Sequence, residues 1–259
     1  MDFNNDTALI TGSSGGIGEE FAVQLAQRGA NLVLVARRSD KLEALRDRLT
    51  ADHPGIVVDV ITADLAVPGS GAELAAKIGE LGRTIDVLVN NAGIGLHSKF
   101  VEQSPEANAG QIQLNCGTLV DLTARFLPSM TERRHGVVIN VASTAAFQPT
   151  PGMAIYGATK AFVLSYTEAL WQECRGTGVT ILALCPGATE TEFFARTGDE
   201  FLTDGRQTSK QVVDTALAAL DKSNPTVVSG LRNNILAAGY RVTPRKLMLA
   251  VSERIMKSD

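Results

Sequence analysis

The chain has 259 residues, an apolar fraction of 44% and a net charge of −4. This length fits one α/β domain, and the apolar content is sufficient for a sizeable core. The acidic balance argues against a surface for nucleic acid or for an anionic membrane. No apolar run approaches the roughly 18 residues of a membrane span, and the first residues lack the basic and apolar regions of a secretion signal. We therefore expect a single cytoplasmic domain over residues 1–259.

The first predicted elements form a βαβ unit. An apolar strand at 7–11 leads into a glycine-rich turn, an amphipathic helix that begins near Gly16, and a second apolar strand at 31–36. Gly12, Gly16 and Gly18 let the turn adopt positive φ and let backbone N–H groups approach a ligand without a Cβ in the way. The positive end of the helix then points at the same place. This unit predicts a binding site for a pyrophosphate.

Two arginines follow the second strand, where a dinucleotide-binding fold contacts the adenosine ribose. An NAD site needs a carboxylate there, whereas this chain has Ala36, Arg37 and Arg38. Because a guanidinium binds a 2′-phosphate through two parallel hydrogen bonds, we predict NADP(H) as the cofactor. Arg37 is the better candidate since it comes directly after the strand, and Ser13 could add a hydroxyl to the same phosphate. The alternative is that both arginines are solvated side chains ahead of the next helix.

Three polar residues mark the second half of the chain. Ser143 ends the predicted strand 136–142, and Tyr156 and Lys160 stand four residues apart, so a helix would place both on one face. An ammonium beside a phenol is expected to lower the phenol pKa from its usual value of about 10. The phenol could then exchange protons with a carbonyl or alcohol near neutrality, with the serine holding the oxygen. A half-buried tyrosine and a solvated lysine are the alternative.

Strands and helices alternate along the chain without a linker or repeat. The predicted strands are 7–11, 31–36, 56–62, 85–90, 136–142, 179–185 and 226–229. The apolar strands lack polar alternation, which favours a parallel sheet covered by helices on both faces. We therefore predict an α/β, doubly wound three-layer sandwich with a seven-stranded parallel sheet and a site at the carboxyl ends of its strands.

Two later segments are assigned to the substrate. Residues 187–210 contain Phe193, Phe194 and Phe201, which predicts a short helical lid and an apolar or lipid-like substrate. The same aromatic side chains could instead pack the lid against the core. Residues 231–259 predict a helical extension that could cover the substrate pocket, join an oligomer interface or touch a membrane surface.

Cysteine and histidine residues are few and scattered. Cys116, Cys174 and Cys185 form no C-x-x-C pair, so neither a disulfide framework nor a thiolate metal site is indicated. The histidines are equally far apart in the sequence. We expect no catalytic metal.

Several motifs follow one another in a fixed order. They are T-G-x-x-x-G-x-G at 11–18, N-N-A-G at 90–93, Asn115 in a helix, Ser143, Y-x-x-x-K at 156–160 and P-G-x-x-x-T at 186–191. Together they resemble the short-chain dehydrogenase/reductase family over most of the chain. The resemblance implies a Rossmann-type fold and a nicotinamide cofactor.

The resemblance also implies a role for each catalytic residue. Tyr156 would donate a proton to the carbonyl oxygen as hydride arrives from the nicotinamide. Lys160 would lower the phenol pKa and hold the nicotinamide ribose, while Ser143 would orient the carbonyl. Asn115 would hold a water through which the lysine regains its proton.

Further residues are implied to hold the cofactor. Asp64 would bind the adenine amino group beside the backbone of Leu65, and Thr191 would hold the carboxamide end of the nicotinamide. The implied cofactor set is Gly12, Ser13, Ser14, Gly16, Ile17, Gly18, Arg37, Arg38, Asp64, Leu65, Asn91, Ala92, Tyr156, Lys160, Ala188, Thr189 and Thr191.

These features predict an NADP(H)-dependent oxidoreductase that interconverts a carbonyl and a secondary alcohol. An apolar ketone, a 3-oxoacyl group or a steroid-like compound is the expected substrate. The alternative from another class is a non-catalytic NADP(H)-binding sensor or scaffold, which the intact catalytic set disfavours. The predicted long helices at 106–134 and 152–175 pair subunits in relatives of the family, so a homodimer or homotetramer is expected by analogy.

Overall fold

The structure, a computed structural model, describes residues 1–193, 205–222, 224–240 and 242–256. Its strands are β1 (Thr7–Thr11), β2 (Asn31–Ala36), β3 (Val58–Thr62), β4 (Val87–Asn90), β5 (Gly136–Val141), β6 (Val179–Cys185) and β7 (Thr226–Val228). They form a seven-stranded parallel sheet in the order β3-β2-β1-β4-β5-β6-β7. Every predicted strand is confirmed, with bounds that differ by at most two residues.

Helices connect the parallel strands. They are α1 (Gly16–Ala26), α2 (Ser39–Asp52), α3 (Ser70–Glu80), α4 (Pro105–Ile112), α5 (Leu119–Arg133), α6 (Ala154–Glu173), α7 (Ser209–Ala219), α8 (Leu231–Tyr240) and α9 (Arg245–Met256). A π-helical turn, Gln113–Thr118, joins α4 to α5, and a 3₁₀ turn, Thr144–Phe147, follows β5. Among the described residues, no helix has both the length and the apolar character that crossing a bilayer requires.

The sheet separates two hydrophobic cores. Ile10 of β1 packs in the core that contains Phe21 of α1, whereas its neighbour Leu9 packs in the opposite core with Leu74 of α3. Successive side chains of a strand point to opposite faces, so strands apolar at every position need a helical layer on each side. The predicted doubly wound α/β sandwich is confirmed.

The strand order reverses beside β1. This strand pairs with β2 on one side and with β4 on the other, and the next strands along the chain continue outward in opposite directions. The loops after β1 and β4 therefore separate at the carboxyl edge of the sheet and leave a crevice. This is the edge at which the sequence predicts a site.

The carboxyl-terminal helices pack against the same edge. Helix α8 follows edge strand β7, and its residue Ala237 is buried. Helix α9 buries Met248 and Ser252. The Ser252 Oγ donates a hydrogen bond of 3.2 Å to the Gln148 side-chain oxygen, directly after the 3₁₀ turn. Two helices are thus present within 231–256, and they lie beside the crevice.

Candidate active site

A cavity of about 990 Å³ opens at the carboxyl edge of the sheet. Its glycine half is lined by residues from 12–17, 36–38, 63–65 and 91–93. Its tyrosine half is lined by residues from 143–148, 153–160, 186–193 and 230–240. One continuous cleft therefore joins the predicted nucleotide residues to the predicted catalytic residues.

The glycine turn is shaped by backbone requirements. Gly12 and Gly16 have φ of +68° and +60°, which other residues adopt only with strain. A Cβ on Gly16 would lie 2.8 Å from the Thr191 Cγ2, so the turn also leaves no room for a side chain. The residue before α1, Gly15, provides no side-chain cap, which leaves the first N–H groups of the helix available to an anion.

Strand β4 holds this turn in place through the N-N-A-G motif. The Asn91 side-chain amide donates to the carbonyl oxygens of Thr11 (2.9 Å) and Gly12 (3.2 Å). The Thr11 Oγ1 in turn accepts from the backbone N–H groups of Asn91 and Ala92, both at 3.0 Å. Asn91 and Ala92 line the cavity as expected, and the asparagine side chain also fixes the turn.

Two predicted cofactor residues do not line the cavity. The Ser13 side chain is fully buried, and its Oγ donates to the Val35 carbonyl oxygen at 3.4 Å, so it faces the sheet rather than a phosphate. Ser14, Gly16 and Ile17 do line the cavity. Gly18 packs α1 onto the turn, because a Cβ there would meet the backbone oxygen of Gly12. Ser13 and Gly18 are therefore turned away from the cavity by the path of the backbone in the turn.

The arginines after β2 lie at the outer end of the glycine half. Arg38 curls over the turn, where its guanidinium donates to the Ser14 carbonyl oxygen at 2.9 Å and pairs with Glu192 at 2.8 Å. Arg37 is exposed and lines the cavity. Arg37, which the sequence favours for a 2′-phosphate, is thus more accessible than Arg38.

The remaining predicted cofactor residues lie at both ends of the cleft. Asp64 is exposed, lines the cavity beside Leu65 and accepts a hydrogen bond of 3.0 Å from the Ala66 N–H. Ala188, Thr189 and Thr191 line the cavity after β6. The structure therefore brings these separate segments to one surface.

The catalytic candidates meet where β5 and α6 come together. The Tyr156 hydroxyl lies beside the Ser143 side chain, whose Oγ accepts from the Ala145 N–H at 3.1 Å. The Lys160 Nζ donates to the Val141 carbonyl oxygen at 2.7 Å and lies 5.7 Å from the Tyr156 ring centroid. Helix α6 thus presents the phenol and the ammonium one turn apart, as the spacing predicts.

The electrostatics of this group differ from the prediction. Burial raises the pKa of Tyr156 to about 12, and the hydrogen bond with Ser143 opposes that rise only in part. Burial also lowers the pKa of Lys160 to about 8, against the opposing effect of nearby thiols. The predicted lowering of the phenol pKa is therefore wrong for this structure. The main reason is that the phenol itself is buried, which disfavours the phenolate, while the Lys160 Nζ donates to the Val141 carbonyl oxygen.

Asn115 lies beside the catalytic group without lining the cavity. It belongs to the π-helical turn, a geometry that often occurs at functional sites. Its side chain is buried, donates to the Ile94 carbonyl oxygen (2.9 Å) and the Thr159 Oγ1 (3.0 Å), and accepts from the Ile94 N–H (3.0 Å). A Cβ on Gly93 would lie 3.2 Å from its Oδ1 and 3.4 Å from the Lys160 Nζ. The asparagine thus fixes the loop after β4 next to the lysine.

The tyrosine half has an apolar wall from several elements. Met153 packs with Tyr156 and Phe193, and the two rings lie 5.3 Å apart between centroids. Leu236 and Tyr240 of α8 line the same space. The predicted lid residues Phe194 and Phe201 lie outside the described residues, as do all residues of 194–204 within segment 187–210.

Sequence reasoning missed the individual residues that α8 and the 3₁₀ turn contribute to this wall. They are Gln148, Leu236, Ala237 and Tyr240. The available signal was weak, since the sequence of α8 indicates a helix after the last strand but not which face meets the cleft. The sequence of residues 231–259 left three alternatives, namely to cover the substrate pocket, to join an oligomer interface or to touch a membrane surface. The position of α8, which lines the cavity, is compatible with the first of them.

A group of potential metal ligands lies at the opposite edge of the sheet. Asp6, Asp86 and His135 precede β1, β4 and β5, and their ligand atoms lie within 4.8 Å of one another. The group already has protein partners, because Asp86 accepts from Arg133 and from the Thr7 N–H, both at 3.0 Å. It is an ion-paired cluster remote from the cavity. All three cysteines of the chain are free thiols.

Comparison with known proteins agrees with this arrangement. Residues 6–200 match the family model for short chain dehydrogenases. An uncharacterized oxidoreductase of Staphylococcus epidermidis is 35% identical over 214 residues, which is 82% of this chain and 90% of that protein.

Two solved structures are also similar. A short-chain dehydrogenase from Sphingobium yanoikuyae in complex with NADPH is 36% identical, with a TM-score of 0.83 over 91% of this chain and 94% of that one. A bulky-bulky ketone specific alcohol dehydrogenase from Comamonas testosteroni is 34% identical, with a TM-score of 0.79 over 92% and 93% of the two chains. This chain, with its glycine turn and its Ser143, Tyr156 and Lys160 on one cleft, is an oxidoreductase that belongs to the short-chain dehydrogenase family.

Proposed function

We propose that the protein is an NADP(H)-dependent carbonyl reductase, reversible as an alcohol dehydrogenase. The observation that carries this proposal is the position of the Tyr156 hydroxyl. It lies beside Ser143 and next to Lys160, and it faces the same cavity as the glycine turn. A nicotinamide nucleotide bound in that cavity would supply or accept the hydride.

The residues of the cleft fit such a nucleotide. The uncapped start of α1 and the side-chain-free surface of Gly15 and Gly16 suit a pyrophosphate. Asp64 lines the cleft and would bind the adenine amino group, and Thr191, which packs against Gly16 of the turn, would hold the carboxamide of the nicotinamide. The cleft therefore has polar partners along the length that a dinucleotide needs.

The preference for NADP(H) rests on Arg37 and Arg38. Arg37 lines the cavity with an exposed guanidinium, which could bind a 2′-phosphate through two hydrogen bonds. Arg38 is already paired with Glu192, so it supports the turn and adds positive charge nearby. The similarity to a dehydrogenase crystallised with NADPH supports the same choice.

The protonation states suit a proton donor. Because burial raises the pKa of Tyr156, the phenol is protonated at neutral pH and can give its proton to a carbonyl oxygen held by Ser143. Lys160, whose pKa is lowered to about 8, still carries its proton at pH 7. Its charge would stabilise the phenolate that remains after transfer. In the alcohol-oxidising direction the same groups act in reverse.

The substrate is proposed to be an apolar ketone, a 3-oxoacyl group or a steroid-like compound. Met153, Phe193 and Leu236 line the tyrosine half with apolar surface. The similar Comamonas alcohol dehydrogenase is named as specific for bulky-bulky ketones. A cavity of about 990 Å³ has room for a ketone of that kind. A ketone with two sizeable apolar substituents is therefore the first class to test.

The test is NADPH oxidation with a panel of such ketones by wild type and Tyr156→Phe. We expect saturable turnover by wild type and a loss of roughly 10²–10⁴-fold in kcat for the variant, the range that general acid catalysis contributes, since a phenyl ring has no proton to give. Nucleotide affinity, measured by fluorescence titration, should stay within about threefold of wild type. NADPH binding without turnover of any ketone would instead favour a sensor or scaffold.

We further propose a homodimer or homotetramer that pairs α4, α5 and α6. Ile112 at the end of α4 is 49% exposed, and Phe162 on α6 is 46% exposed and stacks on Tyr166 at 5.9 Å. The proposal rests on analogy with relatives of the family, in which the helices of these two regions pair subunits. Light scattering of wild type and Phe162→Glu should distinguish an oligomer from a monomer.

A further inference from the structure

The tyrosine half contains a polar pair that the proposed chemistry does not use. Gln148 follows the 3₁₀ turn and Tyr240 ends α8, so that the Tyr240 phenol lies beside the Gln148 amide. Both are half-buried and both line the cavity. Their neighbours on that wall include the apolar side chains of Leu96, Met153 and Leu236. A hydrogen-bonding pair in such a wall can discriminate between ligands, because an apolar group placed against it leaves polar atoms unsatisfied.

The pair is held by elements that reach the cavity from outside the catalytic segment. The Gln148 side-chain oxygen accepts 3.2 Å from the Ser252 Oγ of α9, and Ser252 is fully buried. On α8, the Asn233 side chain donates to the Ser229 carbonyl oxygen at 2.7 Å and fills the space over Gly187. The Gln148 side chain is thus fixed by a protein contact before a ligand binds, and α8, which carries Tyr240, is anchored at its start.

We propose that Gln148 and Tyr240 bind a second oxygen function of the substrate, a hydroxyl or carbonyl distant from the reacting carbonyl. This inference rests on the proposed function and narrows its substrate class to bifunctional apolar ketones. It also makes α8 and α9 determinants of substrate specificity. The hydroxyl of Tyr240 can donate or accept, and the amide of Gln148 offers both kinds of partner, so either oxygen function can be bound.

The 3₁₀ turn sets the separation of the two oxygen functions. Ser143 precedes this turn and Gln148 follows it. A 3₁₀ helix rises by about 2 Å per residue, so the backbone of residues 144–147 advances by roughly 8 Å between the residues that carry the two binding groups. A small ketone cannot bridge that distance, whereas a fused-ring ketone or a medium-length chain can. The substrate is therefore larger than its reacting group alone requires.

The experiment compares two bicyclic ketones that have the same carbon skeleton, one of them with a hydroxyl on the ring remote from the carbonyl. Wild type should prefer the hydroxyketone in kcat/KM by about tenfold, the size of one good hydrogen bond. Tyr240→Phe and Gln148→Leu should each raise KM for the hydroxyketone by about five- to tenfold and leave KM for the plain ketone within twofold. Tyr166→Phe, which removes a phenol outside the cavity lining, should change neither value.

Equal effects of the variants on both ketones, or a wild type that does not distinguish them, would overturn the proposal. If wild type turns over neither ketone, the proposed function fails, and calorimetric titration of the two ketones into the NADPH-loaded protein then tests the polar pair alone. Tighter binding of the hydroxyketone, lost in Tyr240→Phe, would support the pair. Equal affinities would refute it, and so would loss of NADPH affinity in the variant, because that indicates general damage to the site.

Discussion

The two halves of the cavity are built in different ways. The glycine half is formed mainly by backbone, since Gly12 and Gly16 require positive φ and neighbouring chain leaves no room for a Cβ. The tyrosine half is formed by side chains from β5, α6, the loop after β6 and α8. Backbone geometry restricts residue type strongly, whereas many side chains can fill an apolar wall. A binding site of the first kind leaves a sequence motif, and one of the second kind leaves little.

The largest expected effect in the glycine half comes from Gly18→Ala. The added methyl would meet the Gly12 carbonyl oxygen and the Asn91 side chain, so α1 would have to shift away from the turn. We expect a loss of about 3 kcal/mol in the free energy of unfolding, the upper range for overpacking, with weaker NADPH binding. Urea denaturation measures the first effect and a fluorescence titration the second.

Gly79→Ala is the matched control for this substitution. Gly79 also lies within a helix, α3, but a Cβ there would contact nothing within 4 Å. We expect this variant to be more stable than wild type by about 0.5–1 kcal/mol, because alanine favours the helix. If both alanine variants behaved alike, close packing of Gly18 on the turn would not be its function.

A smaller effect, confined to one nucleotide, is expected for Arg37→Ala. Loss of a charged hydrogen bond to the 2′-phosphate should weaken NADPH binding by about 2 kcal/mol, roughly thirtyfold, and leave NADH binding nearly unchanged. Titration of both nucleotides into wild type and variant measures the difference. Arg48→Ala, at an exposed ion pair with Glu19, is a control for a general change of surface charge. Equal losses for both nucleotides would remove the basis for NADP(H) preference.

The smallest expected effect concerns the pH dependence of stability in the tyrosine half. The folded-state pKa of Lys160 is about 8, below its usual value of 10.5, so the unfolded chain binds more protons between these values. The free energy of unfolding should therefore rise with pH across that window, by about 1 kcal/mol between pH 8 and 9.5. Tyr156, whose pKa is raised, should lower stability only above pH 10.

Lys160→Met should flatten the stability profile between pH 8 and 9.5. Lys77→Met, at an exposed position on α3, should keep the wild-type profile. Chemical denaturation at several pH values measures all three proteins. A wild-type profile without this rise would show that Lys160 is better solvated than its burial indicates.

The sequence predicted most of the fold because the strands are strongly apolar and regularly spaced. The bounds of β1, β2 and β6 agree with the prediction to the residue. The glycine turn and Tyr156–Lys160 spacing also located the cleft, since both depend on local geometry that the chain order fixes. Residues such as Asp64 and Asn91 line the cleft because parallel strands end at one edge, and their roles toward a nucleotide stay predictions.

The errors came from contacts that a sequence does not contain. Whether the hydroxyl of Ser13 or Ser14 faces the cavity depends on the path of the turn, and only Ser14 does. The direction of the Tyr156 pKa depends on how much water the folded site excludes, which the i, i+4 spacing with Lys160 does not reveal. The contribution of Tyr240 depends on how α8 returns to the cleft, and no local pattern encodes that return.

The hydrogen bond between Ser252 and Gln148 has a consequence for how such a protein can diversify. Residues 6–200 match the family model, whereas the helices that support this wall lie beyond that range. Exchange of the segment after β7 could therefore give a lineage a new chemical preference while its cofactor use and proton donor remain the same. The residues that select the substrate and the residues that bind the cofactor and donate the proton would then evolve independently of each other.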